Sequence, residues 1–383
     1  MGKILRMNIR TINEFIFAKH SITPGTQINS IIEIARNHVG LHSARIMTPY
    51  TTLCSRLTDY STCMLRNQLY EEKTLIKMRC MRTTLHIVPI ELASVFHMAT
   101  FDIRLNECLR FINKYKIGPN QLEKLEDILT EFVNIPRSAS EIENVLLDNM
   151  LLSQNKKFRI EAAKIILKYF WEKGTLCYVN TAKNWECENR KYALTRIYYP
   201  KIIFNQFSKD EAQELLIIDY INKYGPVTEK DISWWSGLGA NIIRNILANN
   251  KKLIDNIIIG NSNKVFYISR TDNEILQEYK SIDNEWFALL AYEDPSLKGY
   301  YESRFRYVND NHYNDLFNQI GEVRASIIHN GEAIGVWFWN KKTKKIEIEY
   351  FQSAKSHIKN KVKNLKERYE DILFPGQQFC LIE

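Results

Sequence analysis

No stretch of this 383-residue chain reaches the roughly 18 uncharged apolar residues that a membrane helix needs. The first twenty residues, MGKILRMNIRTINEFIFAKH, contain no apolar core of signal-peptide length. A cytoplasmic protein without a membrane partner is therefore expected. The cysteines, at positions 54, 63, 80, 108, 177, 187 and 380, form no CxxC pair and have no histidine at zinc-like spacing. Neither a disulfide framework nor a structural metal is indicated, and reduced thiols are the expectation. Also missing are a Walker loop, a dinucleotide-binding glycine pattern, an HExxH helix and a GxSxG elbow. Those absences argue against nucleotide hydrolysis, hydride transfer, and serine or zinc hydrolysis, and no cofactor, nucleotide or metal is called for. Low-complexity tracts and long linkers are lacking too.

What is present is the composition of a folding chain: 45% hydrophobic and 25% charged residues, with 18 Phe, 20 Tyr and 7 Trp. Its length suggests two to four domains. The formal charge of +8 is unevenly placed. Residues 1–120 carry 16 Lys and Arg against 8 Asp and Glu, while the remainder is balanced at 36 against 36. An excess confined to the first third points to a surface facing a polyanion; the plainer alternative is a solvated basic face without a partner.

Apolar residues at Ile28, Ile31, Ile32, Ala35 and Val39 have helical spacing, and Thr48-Pro49 supplies a cap and a first-turn proline for a second helix. A third helix is predicted over 61–77. Residues 78–88 favour strands, and Pro89 opens another helix. A second group follows, with helices at 121–133 and 158–172, a capping-box pair Ser138/Glu141, and strands at 175–180 and 191–194. The third is the clearest: helices at 209–223, 228–236 and 240–249, then strands at 253–259 and 264–268. Helix, turn, helix and hairpin is the order of a winged helix. From Ser281 onward short strand-like runs predominate, with an Asn330-Gly331 turn and a last helix near 352–372. The reading is an α+β chain divided into 1–118, 119–205, 206–280 and 281–383.

The segments Gly40-Leu41-His42-Ser43-Ala44-Arg45, Met81 to Pro89, Asp231 to Leu238, Leu289 to Gly299 and Gly331 to Trp337 together resemble a bacterial winged-helix family that contains the AlkZ-type and YcaQ-type DNA glycosylases. The resemblance implies three tandem winged-helix subdomains followed by a C-terminal β-barrel-like domain with a terminal helix, clamped around duplex DNA. It also implies metal-free hydrolysis of the N-glycosidic bond of bulky alkylated purines, interstrand crosslinks included. The partner expected is damaged duplex DNA, and a monomer is expected.

The family's catalytic signature is Gln-apolar-Gln or Gln-apolar-Asp, with His first in a subset. His42, Ser43 and Ala44 stand at those positions. Expulsion of an N7-alkylated purine needs little acid catalysis, because the base already carries positive charge; placing water and stabilising a cationic sugar matter more. A methyl group does neither, so Ala44 removes one polar contributor. Two roles are open to His42, as a neutral acceptor of a water proton or as a hydrogen-bonded histidine at a helix junction. Arg36, Arg45, Arg56, Lys77, Arg79 and Arg82 are candidates for phosphate contacts. By resemblance Thr83, Thr84 and His86 match the strand leading to the family's wing, chiefly as structural residues. Asp294 stands where the family has an acidic residue, as a polar anchor in the channel or as a turn-stabilising Asp before Pro295. Because Ala44 lacks a polar atom, a second function stays open: a non-catalytic duplex DNA-binding protein, acting as a damage sensor or transcriptional regulator.

Overall fold

A computed structural model describes residues 5–150 and 156–374. The chain divides into two compact units, one formed by Met1–Arg66 with Glu214–Glu383 and the other by Asn67–Gln213. It leaves the first unit within helix Thr62–Tyr70 and re-enters it within helix Lys209–Tyr224. At this coarser level the segments 1–118 and 206–280 are each shared between the units.

One order of elements occurs three times along the chain: a helix, a very short extended segment, two helices and two strands. It begins with helix Ile31–Asn37, strand Leu41–His42, helices Met47–Cys54 and Thr62–Tyr70, and the antiparallel strands Leu75–Arg79 and Leu85–Pro89. It recurs as Pro119–Phe132, Arg137–Ser138, Ala139–Asn149, Lys156–Lys173, Leu176–Asn180 and Arg190–Leu194. In the third round Lys209–Tyr224 is followed by a single bridge residue, Val227, then Glu229–Ser236, Ala240–Asn249, Ile254–Ile259 and Phe266–Ser269. In the second and third rounds the short segment pairs with the last strand, Arg137 opposite Tyr192 and Val227 opposite Tyr267.

The Ser138/Glu141 cap read from sequence is present, whereas the cap expected at Thr48 is not: helix Met47–Cys54 begins after Ile46 without a side-chain cap and contains Thr48. Ser138 Oγ accepts from the Glu141 amide while the Glu141 carboxylate takes the Ser138 amide, and Thr228 and Asp231 form the same reciprocal pair. Each satisfies two donors that a helix start would otherwise leave open, and losing such a cap typically costs about 1 kcal/mol. Asp231 does more. Buried completely, its carboxylate also accepts from the amides of Tyr301, Glu302 and Ser303 and from the Ser303 hydroxyl, which fixes that helix to the segment 301–303.

The second unit is centred on apolar faces of its helices, with Leu125, Leu129, Ile142, Leu146, Ile166 and Phe170 at 1% exposure or less. In the first unit, Phe17 packs edge-on to Trp286 and against Tyr307. Trp235 is buried and stacked on Tyr220 at 4.3 Å, while half-buried Trp234 stacks on Tyr301 at 5.8 Å.

The C-terminal β region corrects one expectation. Strands Phe287–Leu290, Ser326–His329, Glu332–Asn340 and Lys345–Tyr350 form an open antiparallel sheet in that order, and no closed barrel exists among the described residues. Helix Ser356–Leu373 serves the two outer strands instead: the Tyr369 hydroxyl donates to Leu289 O, and Glu370 accepts from the Ile346 amide. The outer strands are thus tied to a helix rather than to each other. The Asn330-Gly331 turn joins the second and third strands as read, both residues having positive φ.

Two further observations bear on the composition-based exclusions. No helix is long and apolar enough to cross a membrane. Cys54, Cys80, Cys108, Cys177 and Cys187 are free thiols; Cys380 lies outside the described residues.

Candidate active site

The segment Val39–Arg45 leaves helix Ile31–Asn37 through two consecutive left-handed residues, Val39 at φ 47° and Gly40 at φ 88°. Glycine adopts that conformation freely, whereas a β-branched valine does so only where its surroundings enforce it. The enforcing contacts are the bonds from the Val39 amide to Arg36 O and from the Gly40 amide to Ala35 O. Leu41 and His42 then run extended. Leu41, His42 and Ser43 are buried, at 0%, 6% and 1% exposure, while Ala44 and Arg45 face solvent. The Ser43 hydroxyl has no hydrogen-bond partner among the described residues.

The residue that precedes this segment, His38, is held by a buried polar network. Arg56, completely buried, sends Nη1 to Asp294 Oδ2 at 3.0 Å and Nη2 to Asp294 Oδ1 at 2.6 Å. The same guanidinium donates to His38 Nε2, Thr52 O, Ser55 Oγ and Ser296 Oγ. His38 Nε2 accepts that proton, so its Nδ1 is the donor to Ile34 O. By the same logic His20 Nδ1 accepts from Ser296 Oγ, which already receives Arg56, and Nε2 donates to Lys223 O. Both tautomers follow from the network, and both rings must be neutral. Burial, followed by the nearby Arg56 charge, holds each histidine well below its ordinary pKa.

A pH dependence follows. An unfolded histidine takes up a proton near pH 6.5, but His20 and His38 resist it when folded, so their contribution is complete above that value and is lost as pH falls below it. His97 in the second unit behaves alike, through burial and then Arg104. Thermal unfolding at pH 7.5 and 5.5 should give a distinctly lower midpoint at the acid pH. Each residue adds up to about 1.4 kcal/mol per pH unit; an unchanged midpoint would contradict the assigned neutral states.

The expected phosphate contacts separate into two groups. Arg36 and Arg45 are exposed, and Arg82 is half-exposed. Arg45 carries a side chain 65% exposed, lies 3.8 Å from Glu322 and sits over the Tyr292 ring. Arg56 is corrected to a core residue, since a guanidinium with no exposed surface cannot meet a phosphate. Lys77 is likewise buried, ion-paired to Glu188 and placed over the Tyr178 ring. Arg79 pairs with Glu172 at 2.6 Å, a carboxylate shared with buried Arg104. Part of the N-terminal charge excess is therefore neutralised inside the protein, in both units.

Arg82 and Thr83 occupy the tight turn between strands Leu75–Arg79 and Leu85–Pro89, both with positive φ, at 52° and 57°. Thr84 closes the turn by donating to Met81 O. His86 is buried with Nδ1 3.2 Å from Thr84 O, while Leu85 is only half-buried. Asp294 is buried completely and caps the turn at Ser296, so it anchors Arg56 as well as the turn.

The sequence reading did not single out Tyr292 or Glu322. Thr48 Oγ1 donates to Tyr292 O at 2.8 Å, bringing residue 292 to the helix that follows Arg45. The neighbouring Tyr292 hydroxyl, together with Asn318, Arg45 and Lys298, holds the Glu322 carboxyl below the usual range against the opposing effect of burial. Burial and the neighbouring Glu322 carboxylate push the Tyr292 hydroxyl up to about 12. Among the described residues no cluster of three His, Cys, Asp or Glu that could hold a metal occurs.

A family model described as DNA glycosylase AlkZ-like matches residues 35–371. Among solved structures, the chain is similar to the Streptomyces sahachiroi DNA glycosylase AlkZ, with a TM-score of 0.77 over 96% of this chain and 97% of that one, at 15% identity. No curated protein sequence matches.

Proposed function

Given that the chain belongs to the AlkZ-like DNA glycosylase family, we propose that it binds damaged duplex DNA and hydrolyses the N-glycosidic bond of bulky N7-alkylated purines, crosslinked ones included. The observation that carries this reading is the strained segment Val39–Arg45, preceded by network-held His38, in which buried His42 is followed closely by exposed Arg45. His42 is the water-positioning group of the altered motif. The three repeated element orders are three winged helices preceding the β sheet, and they supply the DNA-binding scaffold.

Arg36, Arg45 and Arg82 are the phosphate contacts of this reading. Binding should therefore weaken steeply with salt, and Arg45→Ala should reduce the slope of log affinity against log salt by about one phosphate's share. Anisotropy titrations of a labelled duplex at several salt concentrations measure this. A slope near zero for the native protein would remove the DNA contact surface from the account.

One observation favours a second reading. Ala44 is exposed and carries no polar atom where relatives carry an amide or carboxylate, so a protein that holds damaged DNA without cleaving it is the alternative. Incubation with N7-alkylated duplex, followed by measurement of both retained DNA and free base, separates them: retention with release supports the glycosylase, and retention alone supports the sensor or regulator.

A further inference from the structure

In the third of the repeated element orders, helices Glu229–Ser236 and Ala240–Asn249 are joined by a tightly bonded turn. Gly237 takes φ 79° there, the Ser233 hydroxyl donates to Leu238 O, and the Leu238 amide donates to Ser236 Oγ. The second of these helices buries Ile243, Ile246 and Leu247. It turns Asn241, Arg244, Asn245, Ala248 and Asn249 to solvent, and at 3.6 residues per turn these lie along one stripe.

Solubility does not explain that stripe. Asparagine is a poor helix former, and at exposed positions, where packing does not decide, Ala, Gln, Glu or Lys would make a more stable helix. Acidic residues are missing as well: none occurs between Asp231 and Asp255, where Arg244, Lys251 and Lys252 are the charged residues. An exposed carboxamide holds a donor and an acceptor side by side, the pair that matches N7 and N6 of adenine in the major groove. Ala248, on the same stripe, offers a methyl surface to the methyl group of thymine. We propose that helix Ala240–Asn249 reads base sequence in the major groove of duplex DNA through Asn241, Asn245 and Asn249, giving the chain a preference for sites with A·T pairs. This inference rests on the winged-helix part of the reading above and adds a sequence preference that base excision does not require.

Cations flank the stripe. Exposed Arg244 pairs with Glu229 at 2.9 Å and accepts a long 3.4 Å contact with Asn241 Oδ1 as donor. Lys230, in the first turn of the preceding helix, and Lys264, in the loop between strands Ile254–Ile259 and Phe266–Ser269, converge on Glu302 at 3.0 and 2.9 Å. Both lysines remain exposed, as do Lys251 and Lys252 just beyond the helix. Surface ion pairs of this kind are weak, so a phosphate can replace the carboxylate partner. Basic groups on the preceding helix and on the hairpin loop then fix the register, and the asparagines specify the bases.

The test passes a pool of undamaged duplexes with a randomised centre over native protein and sequences the retained fraction through successive rounds. Anisotropy then compares the enriched duplex with a scrambled one. Native protein should enrich a short site containing A·T pairs and bind it at least about fivefold more tightly than the scrambled duplex. Asn245→Ala should remove the preference at one position of that site while affinity for the scrambled duplex stays within about threefold. Its thermal midpoint should be kept or raised, because alanine is the better helix former. Lys252→Ala should instead weaken both duplexes alike and lower the salt slope. Equal retention of all sequences, an enriched site without A·T pairs, or a preference that survives in the double variant Asn241→Ala with Asn245→Ala overturns the base-reading role. None of these touches the glycosylase reading, whose readout is free base. No retention of any duplex at low salt overturns both.

Discussion

Replacing Asp294 with alanine is expected to destabilise the first unit by about 3–5 kcal/mol, the usual consequence of leaving a buried charge without its partner. Arg56 and Asp294 both have no exposed side-chain surface and form two parallel hydrogen bonds. Alanine would leave the guanidinium with His38, Thr52, Ser55 and Ser296, all of them neutral. The energy lies in the uncompensated cation rather than in the pair as such. A double replacement, Arg56→Met with Asp294→Leu, should therefore recover much of the loss. Denaturant unfolding of the three variants measures it; a loss below about 1 kcal/mol for Asp294→Ala would place Arg56 in contact with water after all.

The second large effect is on chemistry. His42→Ala should reduce base release by roughly two orders of magnitude or more, the range associated with a positioned acid or base, while duplex retention stays near native because Arg45 is untouched. His42 is 6% exposed, so alanine also opens a cavity. His42→Gln keeps volume and a polar group able to hold water, and it should retain most of the release lost to alanine. Single-turnover release for both variants, alongside their thermal midpoints, separates chemistry from folding. Equal loss in both with unchanged midpoints would assign the proton-accepting ring itself, and unchanged release in both would remove His42 from the site.

The element order was largely legible because its signals are local. Apolar spacing at 3.6 residues, the Ser138/Glu141 cap and the Asn330-Gly331 turn each depend on residues within a few positions of one another, and all appear in the structure. What failed was long-range. Arg56 and Lys77 read as phosphate contacts because a cation's sequence neighbours do not reveal a carboxylate 238 or 111 residues away. Barrel closure depends on whether outer strands meet, and a helix covers them instead. Glu322 was invisible for the same reason, since only folding brings its turn to Arg45. Ala44 faces solvent.

The account turns on whether this scaffold still cuts. Mixing excess native protein with a duplex bearing one N7-methylguanine, and following free base by chromatography while gel retention reports the complex, tests that directly. Free 7-methylguanine should appear well above spontaneous depurination, leaving an abasic site in the retained strand. Full retention with release no faster than in protein-free buffer would contradict it.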